Sequence, residues 1–307
     1  MRCRRIVWLC SCSLWILAVL MTFPQTIHSG TETSEPLTVY VVNYPLKYFA
    51  QRIAGDHAKL EFPCPDGEDP AYWVPNVSII SAYQKADLIL LNGADYAKWI
   101  NKVSLPRSKM VNTSIKFKDR YIKLEEAVTH SHGPEGQHEH RGIAFTTWLD
   151  FDLAAKQADA IFAAMVSKQP ELKATFQENY VGLRKDLEAL ERGVQAVVAK
   201  APSRPLIASH PVYQYLAARY GINVKSLHWE PDQVPGEEEW QQLKDLLKDH
   251  PARWMIWEGK PVQETLDKLK SLGIASVVFD PCSNAPSKGD FITVMRENVR
   301  NLAKAIE

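Results

Sequence analysis

The densest group of chemically active side chains in this 307-residue chain is a run of histidines. Four of the nine histidines fall within the segment THSHGPEGQHEH, namely His130, His132, His138 and His140. Imidazoles spaced two residues apart on a flexible chain can converge on Zn²⁺ or Cu²⁺. The glycines and the proline between the two histidine pairs predict a loop over residues 129–142. We therefore predict a His-rich loop that acts as an accessory metal site, and a solvated loop without a ligand is the alternative.

A histidine and a carboxylate follow two buried strand patterns nearer the C-terminus. His210 comes after the sequence Leu-Ile-Ala-Ser, and Asp280 comes after Val-Val-Phe. Ligands bind at the carboxyl ends of the strands in open α/β sheets, and imidazole and carboxylate are both zinc ligands. We therefore predict that His210 and Asp280 are metal ligands in a cleft. For each residue alone, a helix cap or a buried hydrogen-bonding group is the alternative.

Enzyme signatures are missing from the sequence. It contains no G-x-S-x-G, P-loop, G-x-G-x-x-G or H-E-x-x-H motif, and no C-x-x-C after the first 29 residues. The composition is that of an ordinary globular protein, with 46% hydrophobic and 23% charged residues. Basic and acidic residues number 36 each, so nothing in the net charge favours nucleic acid. We predict a binding protein, neither an enzyme nor a polytopic membrane protein, and no organic cofactor.

The first 29 residues predict a secretory signal peptide. The basic stretch MRCRR precedes an almost continuous apolar run over residues 6–23, and cleavage is predicted after Ser29. Residues 30–36 are polar and predict a linker. The rest of the chain is therefore expected in the periplasm or otherwise outside the cytoplasm, and an uncleaved N-terminal anchor is the less favoured form.

Cysteine use agrees with export. Cys10 and Cys12 lie in the signal segment, and they match a lipoprotein cleavage site only weakly because the apolar core mostly follows them. A lipid anchor is therefore also less favoured. Beyond the signal segment only Cys64 and Cys282 remain, and two cysteines in an oxidising compartment can pair.

Alternating strand and helix patterns predict two α/β lobes, each with a mostly parallel sheet. The N-terminal lobe is predicted over residues 37–169 and the C-terminal lobe over 202–307. Between them, apolar residues recur every three or four positions, which predicts a connecting helix over 170–201. The apolar face of this helix favours a strut that packs against both lobes. The alternative is a helix that forms a coiled coil with a second copy of the chain. This architecture is typical of secreted solute-binding proteins, and we expect a monomer.

Several short motifs resemble the zinc- and manganese-binding subunits of bacterial ABC importers. The motifs, in chain order, are Gly67-Glu68-Asp69-Pro70, Lys85-Ala86-Asp87-Leu88, Asn92-Gly93, Trp148-Leu149-Asp150, Ser209-His210-Pro211, Phe279-Asp280-Pro281 and Arg296-Glu297-Asn298. The resemblance covers residues 37–307. It implies two α/β lobes joined by one long helix, a divalent metal as the transported ligand, and the permease of an ABC importer as partner. Zinc is favoured and manganese is second.

The chain departs from the family pattern at two expected ligands. The family usually has a histidine at the position of Ala71 and another at the position of Thr146, while His210 and Asp280 are retained. Two protein ligands leave zinc short of its preferred four. The resemblance therefore implies half of a site, with both losses in the N-terminal lobe.

Three replacements are conceivable. The His-rich loop could fold into the cleft, or Cys64 and Cys282 could bind zinc as thiolates, although we expect two unpaired thiols ahead of a disulfide or thiolate ligands. Alternatively, the ligand is a metal chelate or another small solute, with Trp73, Trp148 and Trp229 lining the cleft, although ordinary packing is favoured for these tryptophans. An exported structural or adhesion protein that has lost the metal site is the remaining alternative.

Overall fold

The computed structural model describes residues 36–131 and 137–307, and its first lobe is built on a four-stranded parallel sheet. The strands are β1 (Leu37–Val41), β2 (Ala58–Glu61), β3 (Leu88–Leu91) and β4 (Met110–Asn112), in the spatial order β2-β1-β3-β4. The helices of this lobe are α1 (Tyr44–Ala54), α2 (Val77–Lys85) and α3 (Phe151–Lys168). The sequence of β3, Leu-Ile-Leu-Leu, is the continuous apolar run expected of an inner strand of a parallel sheet.

The histidine-rich segment forms an antiparallel hairpin, and the prediction of a loop over 129–142 is wrong for most of it. The hairpin strands are β5 (Lys123–Ser131) and β6 (Gln137–Ile143). Their backbone register pairs His130 with His138 and Val128 with His140. Strand pairing is favoured here because the ladder satisfies backbone groups that an open loop leaves to water.

A long helix leads into a second parallel sheet. The helix α4 (Lys173–Val198) follows a short 3-10 turn at Pro170–Leu172. The strands are β7 (Leu206–Ala208), β8 (Val224–Ser226), β9 (Trp254–Trp257) and β10 (Ala275–Val278), in the order β10-β9-β7-β8. The helices are α5 (Gln214–Tyr220), α6 (Glu237–Asp249), α7 (Gln263–Ser271) and α8 (Phe291–Ile306). The prediction of two α/β lobes with parallel sheets is confirmed.

Helix α4 joins the two lobes as a strut. Its 26 residues span about 39 Å, somewhat less than the predicted range of 170–201 would give. The helix packs against α1 and α3 of the first lobe and against α5 and α8 of the second. Asp186 on its surface accepts hydrogen bonds from Arg52 of α1 at 2.9 Å and from Arg296 of α8 at 3.0 Å. The apolar face is therefore buried within one chain, as the strut interpretation predicts.

Helix α3 is the main element that the sequence patterns did not predict. It has 18 residues and begins at Asp150, whose carboxylate accepts hydrogen bonds from the backbone N–H groups of Asp152 and Leu153. The Trp-Leu-Asp motif thus starts a helix. Among residues 36–131 and 137–307, no helix is both long and apolar enough to cross a membrane. The predictions for the signal peptide and nearly all of the linker lie outside the described residues.

Candidate metal centre

The second-lobe sheet continues its backbone pairing past the ends of its strands. Ser209 donates its N–H to the carbonyl of Ile256 at 2.9 Å, and Trp229 donates to the carbonyl of Ser209 at 2.7 Å. These bonds fix the three segments that leave β7, β8 and β9 at the same edge of the sheet. The side chains of His210, Glu230 and Glu258 come from these three segments.

These three side chains form a compact group of potential metal ligands, which we call the His–Glu–Glu cluster. Nδ1 of His210 lies 3.4 Å from Oε1 of Glu230 and 3.7 Å from Oε1 of Glu258. The ligand atoms of all three lie within 4.8 Å of one another, and only 3% of His210 is exposed. Zinc bonds of about 2.0–2.2 Å in a tetrahedron separate neighbouring ligand atoms by about 3.3–3.6 Å. The two measured distances therefore match the edges of a zinc site.

His228 packs beside this cluster. Its ring centre lies 5.8 Å from that of His210 in an edge-on arrangement. Burial lowers the pKa of His228, and the nearby negative charge of Glu230 opposes this effect only partly. His228 is therefore neutral at pH 7 and adds no positive charge to the site.

Asp280 stands at the same sheet edge after β10 but is outside the His–Glu–Glu cluster. One oxygen of its carboxylate accepts a hydrogen bond from the backbone N–H of Cys282 at 2.7 Å. Burial raises the pKa of Asp280, and this hydrogen bond partly offsets the increase. Asn298 of α8 holds the backbone of Asp280 by two hydrogen bonds, at 3.0 and 2.6 Å. The group of potential ligands around His210 thus contains two glutamates and not Asp280, and Asp280 as a metal ligand stays a prediction.

The two positions where the family pattern has histidine take part in packing. Ala71 is buried, and its N–H donates to the carboxylate of Asp69 at 2.9 Å. Thr146 is also buried, and its hydroxyl donates to the carbonyl of Val212 in the second lobe at 2.6 Å. A hydrogen bond between the lobes therefore stands where the resemblance implies a metal ligand.

Tyr72 lies at the boundary between the two lobes. Its pKa is raised first by burial and then by the negative charges of Asp69 and Glu258. Tyr72 belongs to the first lobe and Glu258 to the second. The effect of Glu258 on the pKa of Tyr72 therefore indicates that the His–Glu–Glu cluster lies close to the first lobe. Trp148 also reaches across this boundary, because its indole N–H donates to the carbonyl of Pro281 at 2.8 Å.

Most of the tryptophans that were considered as the lining of an organic-ligand site are buried in the hydrophobic core. Trp148 is fully buried, and Trp229 is buried against Trp240 with ring centres 4.7 Å apart. Trp73 is half-buried. The packing interpretation therefore accounts for Trp148 and Trp229.

Both cysteines are free and buried. Burial raises the pKa of Cys64 to about 12, with smaller contributions from nearby acidic residues, and burial likewise raises the pKa of Cys282. Neither belongs to the His–Glu–Glu cluster, and a protonated thiol is a poor zinc ligand. Asn284 of the second lobe donates hydrogen bonds to the carbonyls of Pro65 at 2.7 Å and Glu68 at 2.8 Å, beside Cys64. Cys64 thus lies at a lobe boundary that the side chain of Asn284 helps to hold.

Sequence reasoning missed Glu230 and Glu258. Glu258 directly follows the strand pattern Trp-Met-Ile-Trp, so the strand-end rule that selected His210 would also have selected it. Glu230 follows β8 after Leu-His-Trp. Of the loop histidines, His132 lies outside the described residues, and metal binding by His130, His138 and His140 stays a prediction.

Two α/β lobes joined by one long helix, with candidate ligands at the sheet edge between them, define a solute-binding protein of the two-lobed class. Residues 39–305 match the family model described as zinc-uptake complex component A, periplasmic. The chain belongs to this family, which confirms the predicted resemblance.

Individual relatives are similar over nearly the whole chain. The high-affinity zinc uptake system protein ZnuA of Bacillus subtilis is 25% identical over 92% of this chain and 91% of its own length. The manganese ABC transporter substrate-binding lipoprotein PsaA of Streptococcus pneumoniae is 24% identical over 91% of each chain. Among solved structures, the Zn(II)-bound ZnuA-like domain of AdcA from Streptococcus pneumoniae has a TM-score of 0.75 at 20% identity, covering 88% of this chain and 99% of that one. This last likeness shows the fold.

Proposed function

We propose that this chain is an exported solute-binding protein that captures a divalent metal ion and delivers it to the permease of an ABC importer. Zinc is the favoured cargo and manganese is the second. The cargo binds at the sheet edge between the lobes, with His210 as a ligand. The protein acts by binding and release, as a monomer, without catalysis and without an organic cofactor.

The observation that carries this proposal is a buried imidazole between two carboxylates. His210 is 3% exposed, and each of its two carboxylate neighbours lies at a distance that suits a shared cation. Burial of this many titratable groups is costly unless they are paired or bind a metal. Zinc is favoured over manganese because imidazole suits zinc, while carboxylates suit both ions. Relatives named for zinc and for manganese both occur.

A metal chelate or another organic solute has less support. The tryptophans that would line its site, Trp148 and Trp229, are buried in the core. An exported structural or adhesion protein would not need the His–Glu–Glu cluster.

The location proposed is the periplasm or the outer face of the membrane. Several relatives are named lipoproteins, so a lipid on Cys10 or Cys12 is the alternative to a cleaved signal peptide. Mass spectrometry of the protein from the exported fraction distinguishes the two, because cleavage after Ser29 and lipidation give different masses.

Metal content and a zinc titration test the function. The exported protein, purified without chelator, is expected to carry about one equivalent of a divalent metal. After removal of the metal, His210→Ala should lose the tight zinc-binding step. His57→Ala is the matched control, because His57 lies in the first lobe and packs on Phe176. An unchanged titration in His210→Ala would contradict the proposed function at this site.

A further inference from the structure

We propose that the metal site of this chain is built by the second lobe alone, with His210, Glu230 and Glu258 as its three protein ligands. This inference rests on the proposed function and specifies its site. It replaces the predicted pairing of His210 with Asp280 and needs no ligand from the first lobe.

The geometry of the His–Glu–Glu cluster is the first support. Its members follow three neighbouring strands, β8, β7 and β9, and backbone hydrogen bonds beyond the strand ends hold the segments together. The distances of 3.4 and 3.7 Å from His210 to the two glutamates match the edges of a tetrahedral zinc site. Two of the three distances between ligand atoms therefore suit one shared ion, and all three ligand atoms lie within 4.8 Å of one another.

The residues at the two expected ligand positions of the first lobe are the second support for this proposal. Its two expected ligand positions hold Ala71, which has no donor side chain, and Thr146, whose hydroxyl is bonded to Val212. Tyr72 is the first-lobe side chain that feels the charge of Glu258. Tyr72 thus places the first lobe near the cluster, while the second lobe supplies the three proposed ligands.

A cavity adjoins the cluster at Glu230 and can hold water next to that side chain. It has a volume of about 140 Å³, and its lining includes His228, Glu230 and Gln233. A single water needs only about 10–15 Å³ of such space. Zinc sites with three protein ligands keep a fourth position for water or another ligand.

The donor set defines the class of cargo. One imidazole nitrogen and two carboxylates suit Zn²⁺ and also accept Mn²⁺, whereas soft ions that prefer sulfur gain nothing here. Zinc is expected to bind more tightly than manganese, in the usual order for divalent ions. Because two of the three ligands are carboxylates, manganese binding should still be measurable.

Calorimetric titration of the metal-free full chain with ZnCl₂ and with MnCl₂ tests this site. Glu230→Gln and Glu258→Gln keep the size of each side chain and remove its charge, so each should raise the zinc Kd at least about tenfold. Asp280→Asn tests the rival ligand, and Glu264→Gln, on the surface of α7, is the matched control. Both should stay within about threefold of the parent Kd.

Two results would overturn the proposal. Near-parental zinc affinity in both glutamine variants would exclude the glutamates as ligands. A loss of affinity in Asp280→Asn as large as that in the glutamine variants would mean that the site includes β10. A parent chain that binds no divalent metal would instead contradict the proposed function itself. Thermal unfolding identifies any variant that does not fold, and Glu258→Asp then replaces Glu258→Gln, because it keeps the charge but withdraws the oxygens.

Discussion

Asn298 offers a sharp test of how the sheet edge is held. Its side chain contacts both backbone polar groups of Asp280: Oδ1 accepts from the N–H at 3.0 Å, and Nδ2 donates to the carbonyl at 2.6 Å. Asn298 is buried, with 2% exposure. Asn298→Leu keeps the number and branching of the side-chain heavy atoms, although leucine is larger, and it removes both hydrogen bonds to the backbone of Asp280.

Each hydrogen-bonding group left unsatisfied costs about 1–3 kcal/mol, so the loss of both should lower the free energy of unfolding by about 2–6 kcal/mol. For a folded unit the size of Pro36–Glu307, this corresponds to a fall in Tm of about 4–11 °C. The measurement is thermal unfolding of metal-free protein by circular dichroism. Asn301→Leu, one turn further along α8, is the matched control, because Asn301 makes one hydrogen bond to the backbone, to the carbonyl of Val278 at 3.0 Å, and its other hydrogen bond comes from the exposed Lys304. Its effect should be about half as large.

A fall in Tm for Asn298→Leu no larger than that for Asn301→Leu would refute the reasoning. The zinc Kd of the folded variant provides a second readout. Because the His–Glu–Glu cluster lies on the segments after β7, β8 and β9, its affinity should change little. A weakening of more than about tenfold would instead indicate that Asp280 binds the metal.

Three further results are expected. Protein produced from residue 30 onward, unfolded without reductant, should show two reactive thiols, because Cys64 and Cys282 are free; fewer than two would indicate a disulfide. Deletion of residues 130–140 should remove only weak zinc binding that fades as pH falls through about 6.5; loss of the tight site would show that this segment completes it. The pKa of Asp290 is held below its usual range, because hydrogen bonds from Thr293 outweigh the opposite effect of burial. The ionised carboxylate therefore stabilises the fold above about pH 3.9, and this stabilisation is lost as pH falls through the lowered pKa. Asp290→Asn keeps the helix cap and should therefore flatten the acid unfolding curve, and an unchanged curve would contradict this assignment.

The architecture was readable from the sequence because its elements carry strong periodic signals. Seven apolar residues along α4 are buried, and the period of three and four residues predicted both the helix and its apolar face. Helix α3 gave no such signal. It is rich in alanine, and its buried positions include Ala154, Ala155 and Ala158, so small side chains that allow close packing hide the helical period. The pairing of β5 with β6 was missed because the glycines and the proline between the two histidine pairs are also typical of a loop.

Of the residues in the His–Glu–Glu cluster, only His210 could be predicted from the sequence, for a chemical reason. A histidine is rare enough that its place after a strand is informative, and His210 was found in this way. Acidic residues number 36 in this chain, and most glutamates lie on solvated surfaces, so no local pattern distinguishes Glu230 from these. Glu230 is distinguished by its contact with His210, which lies 20 residues earlier in the sequence. The pairing of β7 with β8 brings the two residues together. Such a contact exists only after the sheet has formed.

The same sheet geometry explains how a chain can lose two family ligands and keep the family fold. All four strands of the second lobe are parallel, so the four segments that follow them reach one edge. Ligands can therefore be exchanged among these segments without moving a strand. The first-lobe positions are then free for packing, and Thr146 uses its hydroxyl to bond the second lobe at 2.6 Å. Restoring a histidine at position 146 alone would break that bond and place a larger side chain in a buried position. A return to the family ligand set therefore requires more than one substitution, whereas the His–Glu–Glu cluster needs none.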